Sequence, residues 1–171
     1  MAPTLFDHCA QPGDLIEISR DTYQHWAVYI GGNEVIHLIP PDDDHGPFGG
    51  MLTLLNCSTA QVRRQKIWEV VGHHSFKINN LMDDEYEARD PHTIVKEACS
   101  RVGLEQPYSI TSHNCEHFAT ELRYGKAESR QVKLAAVIGG AAAVGVGLIA
   151  LGAFIGSLLK DDDKKERRHH K

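Results

Sequence analysis

The run from Leu134 to Leu159 divides the chain, because it contains no charged residue. It is built almost entirely from Ala, Gly, Val, Leu and Ile, with Lys133 and Lys160 at its borders. Wound as a helix at ~1.5 Å per residue, it measures roughly 39 Å. That exceeds the ~30 Å hydrocarbon core of a bilayer, so the run is predicted to span a membrane with some tilt. A helix with no polar face is poorly suited to a small soluble core. Three segments follow from this: a folded domain over residues 1–130, a C-terminal transmembrane helix over 131–160, and a charged tail over 161–171. Gly152 and Gly156 form a GxxxG pair, and Gly139, Ala143 and Gly147 continue the small-residue spacing. Such a face permits self-association of the helix, although this composition also produces the spacing by chance.

A lone span close to the C-terminus predicts insertion after translation, with the folded domain left facing the cytosol. Basic residues flank the run on both sides, so charge asymmetry decides little, and nothing in the sequence selects an organelle. Met1 to Gln11 lacks a basic segment followed by an apolar one, and no secretory signal is predicted. The four cysteines, Cys9, Cys57, Cys99 and Cys115, show no paired spacing and are expected to be free thiols. A net charge of -5 argues against a general nucleic-acid binder.

The first 130 residues read as α+β. Asp14 to Ser19 alternates like a strand. His25 to Ile30 and Val35 to Ile39 are β-branched and aromatic-rich, and Gly31-Gly32-Asn33 between them signals a hairpin. Gln61 to Val71 is expected to be further strand, and residues 40–50, rich in Pro, Asp and Gly, a loop. Asp90-Pro91 opens a helix carrying Ile94, Ala98 and Val102. A second helix is expected from about Cys115 to Tyr124.

Cys115 falls in the first turn of that second helix, which Ser112 or Asn114 can cap. Unpaired N–H groups and the helix dipole there favour a thiolate, which predicts a lowered thiol pKa. The same N–H groups suit an oxyanion. A nucleophilic thiol needs a base, and the base an orienting group. His25 and His37 lie on the two arms of the hairpin. A three-residue loop, Gly31 to Asn33, pairs Ala27 with His37 and puts both histidines on one face. A two-residue loop, Gly32-Asn33, pairs Val28 with His37 and separates them. His113 and His117 would share a helix face, but Cys115 would point elsewhere, so no metal site is predicted.

The runs Gly13-Asp14-Leu15-Ile16-Glu17-Ile18, His25-Trp26-Ala27-Val28-Tyr29, His37-Leu38 and Asn114-Cys115-Glu116-His117-Phe118 resemble the phospholipase A and acyltransferase family. This family is also called the HRAS-like suppressors and is related to lecithin:retinol acyltransferase. Asn79-Asn80 with Asp83-Asp84, and Pro107-Tyr108-Ser109, match as well. The resemblance covers essentially the whole chain. It implies a circularly permuted papain-like (NlpC-type) domain with an antiparallel sheet and helices, beside the C-terminal transmembrane helix. It implies Cys115 as nucleophile, His25 as general base and His37 as the residue that orients it. Asn114, Arg20 and Tyr23 fall near the site in a supporting position.

The implied activity is a calcium-independent phospholipase A1/A2 and acyltransferase without a cofactor. An acyl chain would pass from a glycerophospholipid through a Cys115 thioester to water, to the amine of phosphatidylethanolamine or to a lysophospholipid. Two alternatives belong to other classes: a cysteine peptidase or isopeptidase of papain-like fold, and a non-enzymatic membrane adaptor.

Overall fold

The computed structural model describes residues 9–21, 23–40 and 57–139. They fall into two units along the chain. The first takes residues 9–20 and 24–129, the second residues 21, 23 and 130–139. The loop expected over residues 40–50 and the apolar run from residue 140 onward lie outside the described residues, apart from Pro40.

The first unit is α+β. Six strands form one antiparallel sheet: β1 (Leu15–Ser19), β2 (Gln24–Gly31), β3 (Glu34–Ile39), β4 (Thr59–Lys66), β5 (Ser75–Ile78) and β6 (Glu105–Pro107). Their order across the sheet is β5-β1-β2-β3-β4-β6. Among the described residues, three helices accompany them: α1 (Ile67–Val71), α2 (Pro91–Arg101) and α3 (Cys115–Tyr124). The expected strand over Gln61 to Val71 is corrected in its second half. Ile67, Val70 and Val71 recur at helical spacing, and as α1 they pack on Ile16, Ile18 and Ala27. The short strands β5 and β6 were not anticipated from the sequence.

Strand alternation sorts side chains onto the two faces of the sheet. Leu15, Trp26, Val28, Ile36, Leu38 and Val62 meet Ile94 and Ala98 of α2 and Phe118, Ala119 and Leu122 of α3. The opposite face carries Ile16, Ile18, Ala27, Tyr29 and Val35 against α1. Local caps set the helix starts. The Asp90 carboxylate accepts from Thr93 N–H at 2.9 Å, with Pro91 in the first turn. The Asn114 side-chain oxygen accepts from the N–H groups of Glu116 and His117, each at 3.0 Å.

A charged clamp fastens the end of α3 to the start of β1. Arg123 donates through Nε to Asp83 Oδ1 at 3.0 Å and through Nη2 to Asp83 Oδ2 at 2.8 Å. Its Nη1 donates to the Gly13 carbonyl at 2.9 Å and lies 3.5 Å from Asp14 Oδ1. Tyr124 Oη donates to Asp83 at 2.8 Å, and Asn80 Nδ2 donates to Asp14 at 2.9 Å. Burial raises the Asp83 carboxyl, but the hydrogen bonds from Arg123 and Tyr124 and the guanidinium charge outweigh it and hold it below its usual value.

The second unit contains the helix α4 (Arg130–Gly139), which coincides with the start of the apolar run. Its Leu134 and Val137 are exposed. Among the described residues, no helix is long and apolar enough to cross a membrane.

Candidate active site

His25 and His37 are brought together by the register of the hairpin. Ala27 pairs with His37, Val28 with Ile36 and Tyr29 with Val35. The register then shifts, so that Gly31 pairs with Glu34. The turn is therefore the two-residue Gly32-Asn33, both at positive φ, and a bulge at Ile30 supplies the extra residue that restores parity. The pairing expected for a three-residue loop is reached by a shorter turn plus a bulge. Gly31, Gly32 and Asn33 have φ of 93°, 60° and 59°, a left-handed run that glycine and asparagine tolerate best.

The two rings meet edge to face with centroids 5.1 Å apart. His25 Nε2 lies 2.8 Å from His37 Nδ1, and His37 Nε2 lies 2.8 Å from Gln65 Oε1. Gln65 pairs with Val35 on β4, which puts it on the face of the histidines. Sequence reading missed it. The available signal was a polar residue in the strand beside His37, but that requires the register of β4.

Cys115 is 6% exposed and packs with Trp26 on the opposite face from the histidines. Its sulfur lies against the stretch of β2 that carries His25. Residues 24–26 of β2 extend past the last pair with β3, while Leu38 and Ile39 continue to pair only with β4. The start of α3 fills that edge. Cys115 Sγ lies 3.8 Å from the carbonyl of Gln24, and the Trp26 N–H also favours negative charge on the sulfur. These two groups flank His25 in the chain. His25 Nε2 is the ring nitrogen engaged by His37.

The electrostatics correct one expectation. Burial pushes the Cys115 thiol up to about 12, outweighing the lowering by the N–H groups of Trp26, Glu116 and Cys115 itself. The resting sulfur is a protonated thiol, not the thiolate that its helix-start position suggested. Burial also lowers His37 to about 4, with the Gln65 hydrogen bond opposing and Arg20 and Arg63 adding to the fall. His25 is held well below its usual value by burial, then by His37 and Arg20. Both rings are neutral at pH 7. Brought within reach of a neutral thiol, a neutral imidazole can take its proton as the sulfur attacks.

Asn114 sits one residue before Cys115 as the N-cap, with Nδ2 donating to the Ile110 carbonyl at 2.7 Å. Arg20 donates through Nη2 to the Val70 carbonyl at 2.7 Å, and its Nη1 lies 2.9 Å from His74 Nδ1. Tyr23 belongs to the second unit. Among the described residues, no three His, Cys, Asp or Glu side chains converge into a metal-holding group.

Residues 8–128 match the family described as lecithin retinol acyltransferase. The chain belongs to this family. Within it, the chain is 44% identical over 141 residues to "Phospholipase A and acyltransferase 4" of Homo sapiens, covering 82% of this chain and 86% of that relative. It is 43% identical over 158 residues to "Phospholipase A and acyltransferase 2" of Homo sapiens, covering 91% and 94%. It is 41% identical over 157 residues to "Phospholipase A and acyltransferase 3" of Mus musculus, covering 92% and 95%. The sequence resemblance to the family is borne out.

Proposed function

We propose that the chain is a thiol phospholipase A1/A2 and acyltransferase, working without calcium, with Cys115 as nucleophile, His25 as base and His37 as its orienting partner. The observation that carries the reading is the buried His25–His37 hydrogen bond, with Cys115 Sγ against the carbonyl of Gln24, the residue before His25, in a chain of this family. His25 Nδ1 takes the thiol proton as the sulfur attacks an acyl ester of a glycerophospholipid. The resulting oxyanion is held in part by the backbone N–H of Cys115, the Glu116 and His117 N–H groups being taken up by Asn114. The ester C–O bond breaks, and His25 returns the proton to the departing lysophospholipid oxygen. An acyl thioester remains on Cys115. Water then gives a free fatty acid, the amine of phosphatidylethanolamine gives N-acyl phosphatidylethanolamine, and a lysophospholipid hydroxyl gives O-acyl transfer. In each case the acceptor proton passes to His25, the thioester C–S bond breaks, and His25 returns that proton to the Cys115 sulfur. Asn114 and Arg20 support the site without reacting.

The chain order, histidine-bearing strands before the cysteine-bearing helix, supports a circularly permuted papain-like domain over residues 1–130. The uncharged run, with exposed Leu134 and Val137 at its helical start, supports a membrane anchor over 131–160 ahead of the tail at 161–171. The catalytic domain then faces the cytosol beside its lipid substrates. Gly152 and Gly156 offer a face for self-association of the anchor.

The test is incubation of the purified full chain with phosphatidylcholine carrying two distinguishable acyl chains, with and without phosphatidylethanolamine. Wild type should yield lysophospholipid and a thioester-linked acyl group on Cys115, both absent in Cys115→Ala. Undiminished phospholipase activity in Cys115→Ala would overturn the mechanism.

A further inference from the structure

We propose that Gln65 is a positioning residue that fixes the tautomers of both site histidines, leaving His25 Nδ1 bare to receive the Cys115 proton. This rests on the reading of His25 as the base.

The inference follows from counting protons along two hydrogen bonds. Gln65 Oε1 carries only lone pairs, so at 2.8 Å the hydrogen between it and His37 belongs to His37 Nε2. A neutral imidazole has one N–H, so His37 Nδ1 is bare. That nitrogen can only accept, and the hydrogen in its 2.8 Å contact with His25 belongs to His25 Nε2. His25 has then used its single N–H, and Nδ1 presents a lone pair. The whole chain is set by which end of the Gln65 amide faces His37. The opposite end would donate, reverse both bonds and place a proton on His25 Nδ1, where a base must have none.

Neutrality of both rings is what lets an uncharged amide do this. Burial at 6% and 3% exposure, with Arg20 and Arg63 nearby, disfavours the doubly protonated rings that would carry no tautomeric information. Gln65 is 28 residues from His37 in the chain and reaches it only through the β3–β4 register, with Val35 opposite Gln65.

Two variants and one spectrum test the proposal on the full chain in detergent micelles. In ¹⁵N-histidine-labelled wild type, with signals assigned by single substitutions at His25 and His37, both Nδ1 atoms should be unprotonated at pH 7. A protonated Nδ1 on either ring overturns the proposal, whatever the activity. Gln65→Met keeps the bulk and loses the acceptor. It should mix the tautomers and lower kcat roughly 10²-fold with little change in KM. Gln65→Glu keeps an acceptor and adds negative charge. It should recover most of the kcat and move the acid limb of the pH–rate profile to higher pH. Wild-type kcat and tautomers in Gln65→Met would also overturn it. Should wild type form no acyl-enzyme at all, the proposed reaction falls, while the tautomer spectrum still judges Gln65.

Discussion

The His25–His37–Gln65 chain and the Arg123–Asp83–Asp14 clamp are both polar networks set into the same unit, yet one is neutral throughout and the other fully charged. Arg123 enters a poorly solvated place and is met by two carboxylates and a carbonyl, as a charge that cannot be shed requires. The histidines are more deeply buried and, among the described residues, have no carboxylate partner; the charges acting on them there are cationic. Burial therefore settles the two differently. It forces compensation on a group that must stay charged, and it discharges groups that can lose a proton. The clamp has one protonation state over the physiological range. The histidine chain has a spare lone pair and can change state during a reaction.

Substitutions in the two networks should fail in different ways. His25→Ala is expected to have the largest effect, a loss of about 10²–10⁴ in kcat of the folded enzyme, read from lysophospholipid release. Retained kcat would remove the functional half of the contrast. Asp83→Ala should do the reverse. It strands the Arg123 guanidinium and should cost about 2–3 kcal/mol in denaturant unfolding, less than for a fully buried pair because the Asp83 side chain is 45% exposed. The remaining folded enzyme should keep its kcat within a few-fold.

The smallest effect is a difference in pH dependence. A histidine whose pKa falls from 6.5 to about 4 on folding binds fewer protons folded than unfolded between those values. Its contribution to stability is complete above pH 6.5 and is lost as pH falls toward 4. The Asp83 contribution is complete above 3.8 and is lost only below it, as pH falls through the lowered folded value. Unfolding free energies between pH 7 and 4.5 should therefore decline less steeply in His37→Gln than in wild type. Identical slopes would mean that His37 is not held neutral by the fold.

How much of this was legible in the sequence depended on how local the cause was. The starts of α2 and α3 could be read because Asp90 and Asn114 satisfy N–H groups two or three residues away. The shared face of His25 and His37 was legible only as one of two options. Alternation gives parity within a strand, and the bulge at Ile30 that decides parity across the hairpin leaves no mark in composition. The α1 helix was hidden because Ile67, Val70 and Val71 suit a strand or a single helical turn equally well. The protonated state of Cys115 was misjudged for a related reason. The helix-start N–H groups that favour a thiolate are local, while the burial that overrides them comes from packing against β2. Gln65 was unreachable without the pairing of β3 with β4.

The turn at Gly32-Asn33 and the bulge at Ile30 together behave like a reading frame. A substitution there changes one side chain, but adding or deleting a single residue shifts everything beyond it by one face. Such a frameshift would part His37 from His25 without altering an atom of either. Length changes at this tip are therefore compatible with the site only in pairs, or when a second change elsewhere in the hairpin restores the count.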